Sequence, residues 1–196
     1  MGKRLVWPLL LGALILGACN QRKQIILEPA RPKIGARASG IALHLAEVLD
    51  KREMKESIGD FRNGFGKVIG HIYPDRPAES MFEEELDYAL SQAGFKVSRG
   101  RVGDGSAAVL EADILELKVY NTGATVEAKA TLGLHLKRGK KKDFFKELPG
   151  YKLRMSMWMT TTKDFEKVMN EALDDLMDKV AELVTSKEFI AAAKGD

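Results

Sequence analysis

Cys19 is the only cysteine in the 196-residue chain, so no internal disulfide can form and its thiol must serve some other chemistry. Gly17 and Ala18 stand before it, preceded by an apolar run from Leu5 to Leu16 that Pro8 interrupts and by the basic start Met1 to Arg4. A basic n-region, a short apolar h-region and a small-residue exit follow one another in the order of a secretory leader. The apolar run is shorter than the roughly 20 residues a permanent membrane-spanning helix needs. A thiol is a side chain well suited to nucleophilic alkylation, and small residues ahead of it let the backbone lie extended in a peptidase cleft.

The string Leu16-Gly17-Ala18-Cys19 resembles the lipobox of bacterial lipoproteins. That resemblance implies diacylglycerol transfer to the Cys19 sulfur, cleavage before it and acylation of the new amino terminus. Residues 1–18 would then be a lipoprotein signal peptide and Cys19 the lipid attachment site. One acyl chain anchors only marginally, whereas two or more hold stably. The position after the cysteine is Asn20. In the sorting system this leader resembles, an aspartate there favours the inner membrane, so the outer membrane, with the body facing the periplasm, is the expected destination and the inner membrane the lesser alternative.

Other residue types that carry chemistry are present without the spacing that chemistry needs. His44, His71 and His135 fall on separate expected strands, without HxH or HxxxH spacing, so no metal site is expected. By strand parity His44 and His135 point outward. Glu111, Asp113 and Glu116 surround a possible bulge, a feature enriched near active sites, but an ordinary sheet edge explains them as well. Gly103-Asp104-Gly105-Ser106 lacks the third glycine of a dinucleotide fingerprint and the lysine of a P-loop, and reads as a turn. With no nucleophile elbow either, the expectation is a protein that is not an enzyme, with no catalytic residue, no metal and no cofactor beyond covalent lipid.

Binding is a separate question. The stretch Lys137 to Lys142 concentrates five positive charges, including Lys140, Lys141 and Lys142, and could meet anionic headgroups or simply be solvated. Trp158, with Arg154 and Lys152 on the same side of an expected strand, is a candidate contact, since Trp and Arg are enriched at interface hot spots. It could equally close an edge of the core. Losing Lys3 and Arg4 with the leader lowers the formal charge from +3 to +1, which gives no nucleic-acid signature.

The elements that must position these residues follow from periodicity. Residues 19–39, with Pro29, Pro32 and Gly35, have the composition of a lipid-anchored tether, though Ile25-Ile26-Leu27 allows a short strand at 24–28. Residues 40–196 make one globular domain. Strands are expected around Ile41–Leu45, Lys67–Tyr73, Val109–Tyr120, Val126–Leu136 and Tyr151–Met159. The apolar parity of Val109–Tyr120 slips between Ile114 and Leu115, which suggests a bulge. Tyr151, Leu153, Met155, Met157 and Met159 are expected to face inward. One helix should open near Asp75 and Pro77 and bury Ala78, Phe82, Leu86, Ala89, Leu90 and Ala93, and Gly94 should end it. Another should start at Thr160–Thr162 and bury Phe165, Val168, Met169, Ala172, Leu176, Val180 and Leu183. The simplest assembly is an α+β two-layer sandwich, a mainly antiparallel sheet with two amphipathic helices packed on one face.

Three strings carry a further resemblance: I-I-L-E-P from Ile25, A-G-F-K-V from Ala93, and the run from Asn170 through E-L-V-T-S-K-E-F-I. They look like the YajG family of bacterial lipoproteins. This implies an envelope lipoprotein with no established catalytic activity, binding another envelope protein or lipid. Ile58 to Gly66, I-G-D-F-R-N-G-F-G, is also similar to segments of auxiliary lipoproteins of envelope ABC transporters, which implies the alternative of a lipid-transport subunit.

Overall fold

A computed structural model describes residues 21–99, 107–122, 125–139, 144–155 and 160–195. Its elements are β1 (Gln21–Ile25), β2 (Ala42–Asp50), β3 (Gly59–Arg62), β4 (Val68–Pro74), α1 (Ala78–Gln92), β5 (Lys96–Ser98), β6 (Ala108–Thr122), β7 (Thr125–Lys137), β8 (Phe144–Met155), α2 (Thr162–Val184) and α3 (Lys187–Lys194). Strand β6 organises the rest. Along one edge it pairs with β7 over its whole length, and along the other it takes β2 beside Leu43–Asp50 and β3 beside Gly59–Asp60.

The result is a curled, mixed eight-stranded sheet with three helices, which corrects the expected mainly antiparallel two-layer sandwich with two helices. Among the described residues, four of the seven strand pairings are parallel: β1 with β4, β2 with β5, β2 with β6, and β3 with β6. Alternation identifies a strand and its buried face but says nothing about its neighbour. Here the parallel partners are joined by crossovers through other elements, and only β3–β4, β6–β7 and β7–β8 are antiparallel neighbours in sequence. The missed helix, α3, is short; Ser186 caps it and Gly195 ends it in the left-handed conformation.

Where the pattern is strong, the chain obeys it. Val126, Ala128, Ala130, Leu132, Leu134 and Leu136 of β7 are all buried, as strict period-two alternation requires. The register of β6 against β7 slips between Ile114 and Glu116, so Leu115 is the extra residue of a bulge and the inward row resumes at Leu117. The six apolar positions expected on α1 and the seven on α2 are buried. Thr161 caps α2: its hydroxyl accepts from the Asp164 amide and its own amide donates to the Asp164 carboxylate, a capping box. Asp75 does not cap α1, whose N-cap is Pro77; it accepts a 3.0 Å hydrogen bond from the Leu27 amide instead.

Strand β8 reverses its expected parity. Leu148 and Gly150 are buried, while Tyr151, Leu153 and Met155 are 47%, 49% and 76% exposed. Gly150 sets the sense, because a Cβ there would lie 2.3 Å from the Ala172 carbonyl oxygen and 2.7 Å from Leu176 Cβ. The even-numbered side of β8 therefore faces α2, and Lys152 and Arg154 reach Glu171 on that helix, each at 3.4 Å. His44 is also displaced from expectation: it is 3% exposed, because β2 lies between β5 and β6 and Ser98 Oγ meets its Nδ1 at 3.2 Å.

Candidate functional site

The N-terminal segment is built into the body by a repeating contact. On α2, Glu166, Asn170 and Asp174 follow one another at four-residue steps, which advance about 6 Å along a helix. Beside them runs extended chain whose alternate amides, at Ile26, Glu28 and Ala30, advance roughly 6.6 Å per two residues. The repeats match, and the three amides donate to Glu166 Oε2 at 3.0 Å, Asn170 Oδ1 at 2.9 Å and Asp174 Oδ1 at 2.6 Å. The Asn170 amide nitrogen donates back to the Ile26 carbonyl at 3.0 Å.

The other side of this strap is held as firmly. Ile25 and Leu27 are fully buried, and Arg76 donates to the Leu27 carbonyl at 3.1 Å. Arg31 forks onto Glu85 of α1 with three contacts of 3.1 to 3.2 Å. Hydrogen bonding to Glu85 and its charge raise the Arg31 pKa. The strand in this region is Gln21–Ile25, a little earlier than residues 24–28, and residues 21–31 lie along the body rather than away from it. The signal for this was present as acceptors at i, i+4 and i+8 beside the apolar stripe of α2, but side-chain acceptors on a helix surface ordinarily read as solvated.

A second feature lies where β2 leaves β6 and β3 has not yet joined it. Residues 51–58 bridge that gap, closed by Arg52, whose Nη1 donates to the Leu117 carbonyl at 3.2 Å and whose Nη2 donates to the Lys55 carbonyl at 3.0 Å. Outside it is a groove of about 270 Å³ bounded by Met54, Ile58, Leu115 and Leu117 among others.

A third is the free edge of the sheet. Strand β8 pairs only with β7 among the described residues. The Tyr151 amide donates to Asp175 Oδ2 at 3.1 Å, and Lys179 Nζ donates to the Pro149 carbonyl at 2.7 Å. These contacts show that the odd-numbered backbone groups of β8 point away from β7. Among the described residues, the Leu153 and Met155 backbone groups take no hydrogen bond from outside β7. Behind it on β7 and β6, Glu127, Lys129 and Tyr120 form a polar cluster, with Lys129 Nζ 3.0 Å from Glu127 and 5.9 Å from the Tyr151 ring centroid. Burial works against the Glu127 carboxylate, but hydrogen bonds from Tyr120 and Lys129 prevail and hold its pKa below the usual value.

The residues singled out from sequence separate accordingly. Leu16, Gly17, Ala18, Cys19, Asn20, Lys140, Lys141, Lys142 and Trp158 lie outside the described residues, as does the turn at Gly103–Ser106. Arg154 and Lys152 are neighbours but are engaged with Glu171. At the start of the basic stretch, Lys137 pairs with Glu111 at 2.7 Å and Arg138 donates to the Ala193 carbonyl. His135 stacks on Phe145, with 4.4 Å between ring centroids, and His71 Nδ1 lies 3.1 Å from Asp60. Among the described residues no cluster of His, Cys, Asp and Glu is placed to hold a metal ion.

The class of protein is given by the comparison with known families: a model of the family described as uncharacterized lipoprotein matches residues 30–190. The chain belongs to that family, which is YajG-like, as the three strings in the sequence implied. Among solved structures it is similar to protein XCC0632 from Xanthomonas campestris, with a TM-score of 0.54 and 16% identity over 89% of this chain and 95% of that one. It is similar also to the hypothetical protein CT253 from Chlamydia trachomatis, with a TM-score of 0.52 and 12% identity over 81% of this chain and 99% of that one. At these identities the likeness is one of fold. No curated protein matches the sequence.

Proposed function

We propose that the protein is a lipid-anchored, non-enzymatic binding component of the bacterial envelope, held by acyl chains on Cys19 in the outer membrane with its body in the periplasm. Family membership supports the lipoprotein reading, and so does Leu16-Gly17-Ala18-Cys19 in the sequence. The binding role is carried by one observation: Tyr151, Leu153 and Met155 stand exposed on an edge strand. An edge of this kind, with apolar side chains and outward backbone groups at Leu153 and Met155, can accept an extended segment of a partner as an added strand. The occupant proposed is such a segment of another envelope protein.

Photo-crosslinking tests it. A crosslinking residue at Leu153, in intact envelopes, should yield a specific protein adduct that the same residue at Glu83 on α1 does not. Identical adducts at both positions would overturn the binding surface.

An auxiliary lipid-transport subunit is the second reading, and the groove beside Arg52, with Met54, Ile58 and Leu117 on its walls, favours it. The groove's volume, about 270 Å³, lies under the roughly 300–1,000 Å³ of most small-molecule sites, which ranks this reading second. Phospholipid co-purifying with the protein, and lost in Ile58→Lys, would support it; a lipid-free protein would count against it.

A further inference from the structure

We propose that the tip of the β3–β4 hairpin touches the membrane, with Phe65 seated among the headgroups of the lipid surface that anchors the protein. This rests on the reading of Cys19 as the lipid attachment site.

The direction of the strands places the tip. Strand β1 runs parallel to β4, with Gln21 beside Gly70, so the hairpin turn that precedes β4 lies at the end of the sheet from which the chain leads back to Cys19. Only Asn20 stands between Cys19 and Gln21, and two residue steps span at most about 7 Å. Val68, at the base of the turn, is likewise two residues before Gly70, the partner of Gln21. The strap on α2 continues directly from β1, so this end of the body has little freedom to swing away from an anchored sulfur. A lipid surface must then lie within reach of the turn.

The turn is suited to meet it. Phe65 is 95% exposed, yet it is not on a loose loop. Asn63 Oδ1 accepts from the amides of Phe65 and Lys67, each at 3.0 Å. The Asn63 carbonyl accepts from Gly66 N at 2.9 Å, and Asn63 N donates to the Lys67 carbonyl at 3.0 Å. Gly66 supplies the positive φ of 80° that closes the turn. An Asx-type turn of this kind fixes its backbone locally, so the ring is presented outward by a preorganised scaffold. Val68 is partly exposed beside it. Residues 61–68 carry Arg62 and Lys67 and no acid; Asp60, just before them, is engaged by Arg62 and His71. Aromatic rings favour the interfacial layer, and basic side chains beside them favour anionic headgroups.

The same geometry places the start of the basic stretch. Strand β7 begins at Thr125, close to Asn121, whose side chain binds both backbone groups of Arg62. It ends at Lys137, about 40 Å further along at ordinary strand rise. Lys137, Arg138 and Gly139 therefore follow the end of the sheet remote from the anchor.

The test uses the mature, acylated protein in vesicles of phosphatidylethanolamine and phosphatidylglycerol. In a Trp158→Phe background, Phe65→Trp introduces a single reporter, and Phe145→Trp places one near the opposite end. Palmitate labelling of the same samples reports the anchor independently. The expected result is blue-shifted emission at position 65, lost when the lipids carry brominated acyl chains, and unshifted, unquenched emission at position 145. Labelled protein whose position-65 reporter is unshifted and unquenched would overturn the hairpin contact and leave the anchor standing. Absence of label would remove the anchor and this inference with it.

Discussion

Arg52 and Asp50, two residues apart in sequence, form a two-pronged ion pair in the interior: Nη2 lies 2.7 Å from Oδ2 and Nε 2.9 Å from Oδ1, with both side chains almost wholly covered. The remaining donors of Arg52 reach the carbonyls of Lys55, Ser57 and Leu117. The guanidinium thus takes the place of a strand over the stretch of β6 that neither β2 nor β3 covers.

Arg52→Ala should therefore destabilise the protein by roughly 3–5 kcal/mol, the cost of leaving a buried charge without its partner. A fall in the urea midpoint without a change in slope would show it. Arg52→Lys should recover little, since an ammonium cannot serve the same fork of acceptors. A midpoint within experimental error of the wild type in Arg52→Ala would refute this account of the gap.

Acid should weaken the fold. Burial disfavours the charged form of Asp50, but hydrogen bonds and charge from Arg52 outweigh it and hold its carboxyl below the ordinary range. Asp164 is lowered by backbone and side-chain hydrogen bonds from Thr161, and Asp175 is lowered because Lys179 and the Tyr151 amide overcome its burial. A carboxyl with a depressed folded pKa stabilises above its unfolded value, about 3.9 for Asp, and ceases to do so as pH falls through the folded value. Stability measured by denaturant titration should be level with respect to these groups above about pH 5 and decline below about pH 4. Asp164→Asn should make that decline shallower.

Much of this was legible beforehand, and the failures share a cause. The β7 row, the bulge at Leu115, the apolar faces of α1 and α2 and the threonine cap could be read because each depends on residues close in sequence. In β8 an apolar row existed on the odd positions, but Gly150 and the reach of Lys152 and Arg154 to Glu171 decided which side met α2. Parallel pairing, the Arg52 fork and the strap depend on what lies opposite, and no local period records that. Of the candidate binding residues, Arg154 and Lys152 share the side of β8 that faces α2, where both reach Glu171.

The strap should respond to single changes on α2. Asn170→Ala removes an acceptor for Glu28 N and a donor to the Ile26 carbonyl, and at about 1 kcal/mol for each hydrogen bond it should destabilise by about 2 kcal/mol. Hydrogen exchange should accelerate at Ile26, Glu28 and Ala30 while the amides of β7 stay protected. Equal acceleration in both places would mean global unfolding and count against a local clamp.

Gly150→Ala tests the contact between β8 and α2. Its methyl group would press against the Ala172 carbonyl and Leu176, and overpacking of this kind costs about 1–3 kcal/mol. The thermal midpoint should fall, whereas Gly64→Ala, in open space at the hairpin, should leave it nearly unchanged.

The partners of residues 26–30 on α2 lie 140–144 positions downstream. During synthesis from the amino terminus they do not yet exist when the first strand is made, and distant contacts form late. Until α2 is made, residues 26–30 are therefore a slack thread ahead of the body. Completion of α2 reels it in, so a segment that precedes the body in the chain is among the last parts to be fastened to it.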